Sequence, residues 1–157
     1  MKIPGLDVEF SALPAPVPIW YARVSPQEWQ AAANLVREDG GRLLALWSGK
    51  TIESIATYLD ATSTSSIFVA YVASKGVFWL ATLPVLKDER LVYPDLARIF
   101  PAANRMQRAA ADLSGVFPDE AADARPWLNH GAWGQDHFPL RQDPMALPAP
   151  EPGDLQD

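Results

Sequence analysis

His130 and His137 stand seven residues apart in the stretch RPWLNHGAWGQDHFPLRQD (125–143), with Asp136 beside the second. Two imidazoles and a carboxylate are ligand types that a divalent metal takes. The spacing matches no common metal motif, and a hydrogen-bonded or interface histidine is the plainer reading. Ser48-Gly49-Lys50-Thr51 repeats the end of a phosphate loop. The glycine that should open such a loop is here Leu44, inside an expected strand, so the backbone cradle is missing and the segment reads as a turn. There is no Gly-x-Ser-x-Gly nucleophile elbow. Asp119, Glu120 and Asp123 fall in an expected loop and read as solvent-facing. Arg108 and Asp112, spaced i, i+4, read as an ordinary surface pair on a helix.

What remains is RPWLNHGAW and HFPLR. Trp and Arg are enriched where proteins bury binding energy. Either the two Trp cap the domain's own core or another protein covers them, and the residue types leave both open. The bulk chemistry narrows the field. Net charge is -6 with no run of Lys or Arg, which argues against a nucleic-acid or anionic-membrane surface. The absence of cysteine excludes disulfides, thiolate zinc sites, iron–sulfur ligation and Cys nucleophiles within the chain. The start MKIPGLDVEF has no apolar core of a signal peptide. The run GVFWLATLPVL falls short of the ~20 residues that a spanning helix needs. A soluble, cytoplasmic chain is expected.

The elements that must position these residues follow from the periodicity. Ser25, Pro26 and Glu28 form a capping box with proline at the first helical position. Trp29, Ala32, Ala33 and Val36 then repeat at helical spacing, and Gly40-Gly41 ends the helix. RLLALWS (42–48) reads as a strand, KTIESIATYL as either a helix turn or an irregular strand, and DATSTSS (60–66) as a polar loop. IFVAYVA (67–73) and VFWLATLPV (77–85), joined at Ser74-Lys75-Gly76, form the clearest hairpin and should lie at the sheet centre. From Pro101 to Ser114 a second helix is expected, with Ala102, Met106, Ala109, Ala110 and Leu113 on its buried face and Gly115 closing it. Pro-rich stretches crowd both ends. The sum is an α+β two-layer sandwich: a mainly antiparallel sheet, helices at 26–38 and 101–114 on one face, and a long irregular C-terminal arm. The expected organisation is an extended N-terminal arm (1–20), a core domain (21–124) and an irregular tail (125–157), mobile beyond Pro144 when alone.

YPDLARIFPAANRMQRAAADLSGV, followed by ARPWLNHGAW and FPLRQD, resembles the 30 kDa subunit family of respiratory complex I. It resembles even more the counterpart domain of membrane-bound, energy-converting nickel–iron hydrogenases and formate hydrogenlyases. The family motif is Glu-Arg-Glu, two variable residues, Asp, a hydrophobic residue, an aromatic and Gly. Arg108, Asp112 and Gly115 match it. Gln107 and Ala109 replace the two Glu, and Ser114 stands where an aromatic is usual.

The resemblance implies a non-catalytic scaffold subunit that holds no cofactor and no metal. Its partners would be the large catalytic subunit and the small iron–sulfur subunit of a hydrogenase-like or complex I-like assembly, at the inner face of the cell membrane. The docking residues it implies are Arg108, Asp112, Arg125, Trp127, His130, Trp133, Phe138 and Arg141. Two other readings stay open: a diverged stand-alone interaction domain, and a small metal- or ligand-binding protein using His130, Asp136 and His137.

Overall fold

The computed structural model describes residues 2–3, 6–49 and 65–141. The expectations for KTIESIATYL, for most of the polar loop 60–66 and for the segment beyond Pro144 lie outside the described residues.

The first helix, α1 (Pro26–Glu38), starts as its capping box dictates. Glu28 N–H donates to Ser25 Oγ at 3.3 Å, and Ser25 N–H donates to the Glu28 carboxylate at 2.7 Å. Trp29, Ala32, Ala33 and Val36 are its buried residues. They pack on a five-stranded sheet built from β3 (Ser11–Leu13), β4 (Ile19–Arg23), β5 (Arg42–Gly49), β6 (Ser66–Ala73) and β7 (Gly76–Thr82), in the order β3-β4-β7-β6-β5. The β6–β7 hairpin therefore lies inside the sheet, where β-branched and aromatic side chains fit the pleat on both faces. All pairs are antiparallel except β4 with β7.

Register sorts the two faces. Ile67, Val69 and Tyr71 of β6 and Phe78 and Leu80 of β7 share the face that carries the helices, and all are buried. Trp47, Phe68, Trp79 and Tyr21 form a row of ring contacts on the other face. Within 1–20, Leu6, Val8 and Phe10 are buried in the core; the first two belong to β2 (Leu6–Glu9), which pairs with β1 (Lys2–Ile3).

A smaller sheet combines β8 (Val85–Lys87), β9 (Arg90–Pro94) and β10 (Val116–Asp119) in the order β10-β9-β8. The parallel pair β9–β10 is bridged by the second helix, α2 (Ala103–Ser114). Both helices lie on the same face of the large sheet: Trp29, Ala32 and Ala33 of α1 share one buried core with Ile67, Val69 and Tyr71 of β6, and Ser114 of α2 meets Ser48 of β5, the register partner of Ile67. The result is the two-layer α+β sandwich.

The buried face of α2 departs from the expected one. Its buried residues are Ala103, Gln107, Ala110, Ala111 and Ser114, whereas Ala102 is exposed and Met106, Ala109 and Leu113 are half-buried. Hydrogen bonding explains the rotation. The Gln107 amide donates to Asp95 Oδ1 at 2.6 Å and its oxygen accepts Leu96 N–H at 2.9 Å. Ser114 Oγ lies 2.5 Å from Ser48 Oγ. Polar side chains enter a core when their partners enter with them.

Candidate functional site

Beyond β10 the described chain has neither helix nor strand, as Pro126, Gly131, Gly134 and Pro139 require. It is nevertheless held closely, and α2 holds it. Arg108, Asp112 and Gly115, at spacings of four and three, fall on one face of the helix, and each grips a successive part of the arm.

Arg108 is the first contact. Its Nε donates to the Arg125 carbonyl at 2.6 Å and its Nη2 to the Pro126 carbonyl at 3.0 Å. Its Nη1 donates to Asp123 at 3.1 Å and reaches Asn104 Oδ1 at 3.4 Å. Only 11% of the side chain is exposed. The fork geometry of the guanidinium is what lets one side chain serve two carbonyls and a carboxylate. Asp112 is the second contact. Its Oδ2 accepts the backbone N–H groups of Trp127, Leu128 and Asn129 at 2.7, 2.6 and 3.0 Å. Three donors converging on one carboxylate oxygen make charge-assisted bonds that fix a non-repetitive backbone.

Gly115 is the third. It ends α2 in the left-handed conformation (φ 66), and the Phe138 ring lies where a Cβ would stand, 2.8 Å from that position. Phe138 meets Phe117 edge-on at 6.3 Å, and Leu140 N–H donates to the Leu113 carbonyl at 2.8 Å.

The expected surface pair between Arg108 and Asp112 does not form; both side chains turn to the arm instead, because its carbonyls and N–H groups have no regular structure to satisfy them. Asp123, expected in solvent, is half-buried between two guanidinium groups. Arg125 binds it through Nε and Nη2 at 2.9 and 2.8 Å and through its backbone N–H. These bonds, with the charge of Arg108, hold the Asp123 carboxyl well below the usual carboxylate range. Trp127 lies under the guanidinium groups of Arg105 and Arg108, 4.9 and 5.2 Å from its ring centre.

The next residues close on themselves. Asn129 donates to the Trp133 carbonyl at 3.0 Å and accepts Gly131 N–H at 3.1 Å, with Gly131 at φ 91. This leaves His130 exposed at the tip of a small loop and Trp133 half-buried. Arg141 lies over the Phe138 ring at 5.9 Å.

Of the eight expected docking residues, six therefore have side-chain contacts within the chain that shape the arm: Arg108, Asp112, Arg125, Trp127, Phe138 and Arg141. Sequence reasoning missed Asp123 and Asn129. The signals were present as Asp-x-Arg and Asn-x-Gly, both able to close local side-chain-to-backbone bonds. Among the described residues no three or more His, Asp or Glu side chains gather to hold a metal, so His130, Asp136 and His137 are not brought together. No described helix is long and apolar enough to cross a membrane.

The family model described as respiratory-chain NADH dehydrogenase, 30 Kd subunit, matches residues 22–148. No curated protein matches the chain. Among solved structures, the membrane-bound sulfane sulfur reductase (MBS), an archaeal respiratory membrane complex, contains a similar chain. That chain is 16% identical at a TM-score of 0.64, with 87% of this chain and 76% of that one covered. The trypsin-resistant fragment (1–134) of Nqo5 is 12% identical at a TM-score of 0.56, with 74% of this chain and 89% of that one covered. At these identities the likeness is one of fold.

Proposed function

This chain belongs to the family of the respiratory-chain NADH dehydrogenase 30 Kd subunit, and we propose that it serves as a non-catalytic scaffold subunit of a membrane-bound, hydrogenase-like or complex I-like oxidoreductase. In this reading it docks on the large catalytic subunit, beside the small iron–sulfur subunit, at the cytoplasmic face of the membrane. The membrane is reached only through those partners.

One observation carries the reading. The motif residues Arg108, Asp112 and Gly115 all hold the arm in one shape. A surface loop has little reason to be so fixed unless its outer side must be presented. That side carries Trp127, Leu128 and Leu140, 37%, 40% and 58% exposed, together with His130 and Arg141, while Trp133 is half-buried at the arm's edge. Ordering a binding loop in advance removes an entropic cost that would otherwise oppose association.

The test is a double variant, Trp133→Ala with Arg141→Ala, expressed with the complex. The expected result is a folded subunit that no longer co-purifies with the large subunit. Co-purification at the wild-type yield rejects the docking arm. Loss of folding in the isolated variant assigns both side chains to the domain's own core.

A further inference from the structure

The arm is fastened at both ends but not in the middle. Residues 125–129 are tied to Arg108 and Asp112, and residues 138–140 to Gly115, Phe117 and Leu113. Between these fastenings it arches over the small sheet. Register puts Val92 and Phe117 on the face of that sheet opposite Leu91 and Val116, which pack into the core. The groove beneath the arch measures about 900 Å³. Its floor is Arg90, Val92 and Phe117, and its arch side is Trp133, Gln135 and Asp136.

The charges in the groove are unequally committed. Lys87 is paired with Asp119, and Arg108 and Arg125 with Asp123. The Arg90 guanidinium lies over the Phe117 ring at 5.3 Å. Every cation among the described lining residues thus has a partner within the chain. Asp88 and Asp136 line the same groove; Asp88 faces the charge of Lys87, whereas among the described residues the Asp136 side chain has no hydrogen bond or ion pair. The Trp133 ring likewise has no aromatic or cationic group packed on it among the described residues. A phosphate or another polyanion would meet these carboxylates with no uncommitted cation to bind it. A basic group would find a carboxylate and an aromatic face together, the pairing that favours arginine.

We infer that the groove receives a segment of the partner subunit that carries Arg or Lys, its cationic group held between Trp133 and Asp136 and its aliphatic stem on Val92. The inference rests on the docking role proposed above. It goes further by moving part of the interface from the outside of the arm to beneath it.

The experiment is site-specific photo-crosslinking in the assembled complex, with p-benzoylphenylalanine at position 90 on the groove floor or at position 130 on the outer tip. Position 90 should cross-link to a peptide of the large subunit that contains Arg or Lys. Asp136→Lys should lower that yield about tenfold, the loss for one charge contact, and Asp136→Glu should retain it. Cross-linking from position 130 but not from position 90 overturns the groove and leaves the docking arm standing. A position-90 cross-link to residues 142–157 of the same chain also overturns it, since the chain would then fill its own groove. Failure at both positions while the subunit still co-purifies at the wild-type yield overturns the docking role of the arm itself.

Discussion

The Asp112 carboxylate accepts the Trp127 backbone N–H at 2.7 Å, the first of three such bonds to a single oxygen. The helix thus holds the main chain of the arm through Asp112, while the Trp127 ring packs on the Arg105 and Arg108 guanidinium groups and the Leu128 side chain stays exposed. Asp112→Ala should cost about 1–3 kcal/mol, the range for losing hydrogen bonds to a charged group where water can replace part of them. The loss should be local: hydrogen exchange at the amides of 127–129 should accelerate while the amides of α2 keep their protection. Global loss of protection would mean that the arm stabilises the whole domain.

Arg108→Lys should fail where a like-charged substitution is usually tolerated. An ammonium cannot reach two carbonyls and Asp123 in the planar arrangement that the guanidinium holds. Limited proteolysis within 125–141 should quicken for Lys nearly as much as for Ala, with α1 and the β6–β7 hairpin intact. Wild-type resistance in the Lys variant would show that charge alone holds the arm.

Gly115→Ala should be destabilising for two separable reasons. The left-handed conformation costs a side chain about 1–2 kcal/mol, and the new Cβ meets Phe138 at 2.8 Å. Phe138→Ala removes the second cost alone. In a double-mutant cycle the two substitutions should therefore cost less together than the sum of their separate effects. Strict additivity, read from denaturant midpoints, would remove Phe138 from the explanation.

The turn between β8 and β9 holds Asp88 and Glu89 at φ 47 and 63, both left-handed, with Lys87 opposite Arg90. A two-residue hairpin of this twist prefers Gly at its second central position. Glu89→Gly should raise stability by about 0.5–1 kcal/mol, as relief of this strain outweighs the greater freedom of glycine when unfolded. A lower thermal midpoint would show that the acid makes a contact worth more than the strain.

Asp123 sets the behaviour of the arm in acid. Its carboxyl is held below its ordinary value of 3.8 by Arg125 and Arg108. A depressed carboxylate contributes stability that is full above its unfolded value and is lost as pH falls through its folded one. The arm should stay in place down to about pH 4 and release below that. Trp fluorescence across that range should show a transition that Asp123→Asn abolishes. An unchanged transition in the Asn variant would place its cause elsewhere.

Much of this molecule is legible in its residues. The capping box at Ser25 and Glu28, the apolar stripe of α1 and the alternating, β-rich strands 67–73 and 77–85 are local patterns. They read correctly, save that the second strand ends at Thr82 and Val85 already belongs to β8 of the small sheet, because each is enforced by its own neighbours and by burial of one face. The second helix reads less well. Its existence follows from periodicity, but its phase does not, since Gln107 and Ser114 are buried by bonds to Asp95 and Ser48, distant in sequence. Those partners also account for two departures from the family motif. A glutamate at 107 would face the Asp95 carboxylate without a hydrogen to donate, and an aromatic at 114 would need the space that Ser48 occupies.

The arm shows where local pattern stops. Its proline and glycine forbid regular structure, so the irregularity of 125–141 is determined by sequence alone. Its path is determined only in three dimensions. Backbone groups without a ladder must find partners elsewhere. Which side chains supply them depends on α2 lying between β9 and β10, and that is a property of the packed core. Arg108 and Asp112 look like a pair in sequence because helical spacing brings them within reach of each other. They part in the structure because the arm offers Arg108 two carbonyls and a carboxylate, and Asp112 three N–H donors, at shorter range and in better geometry.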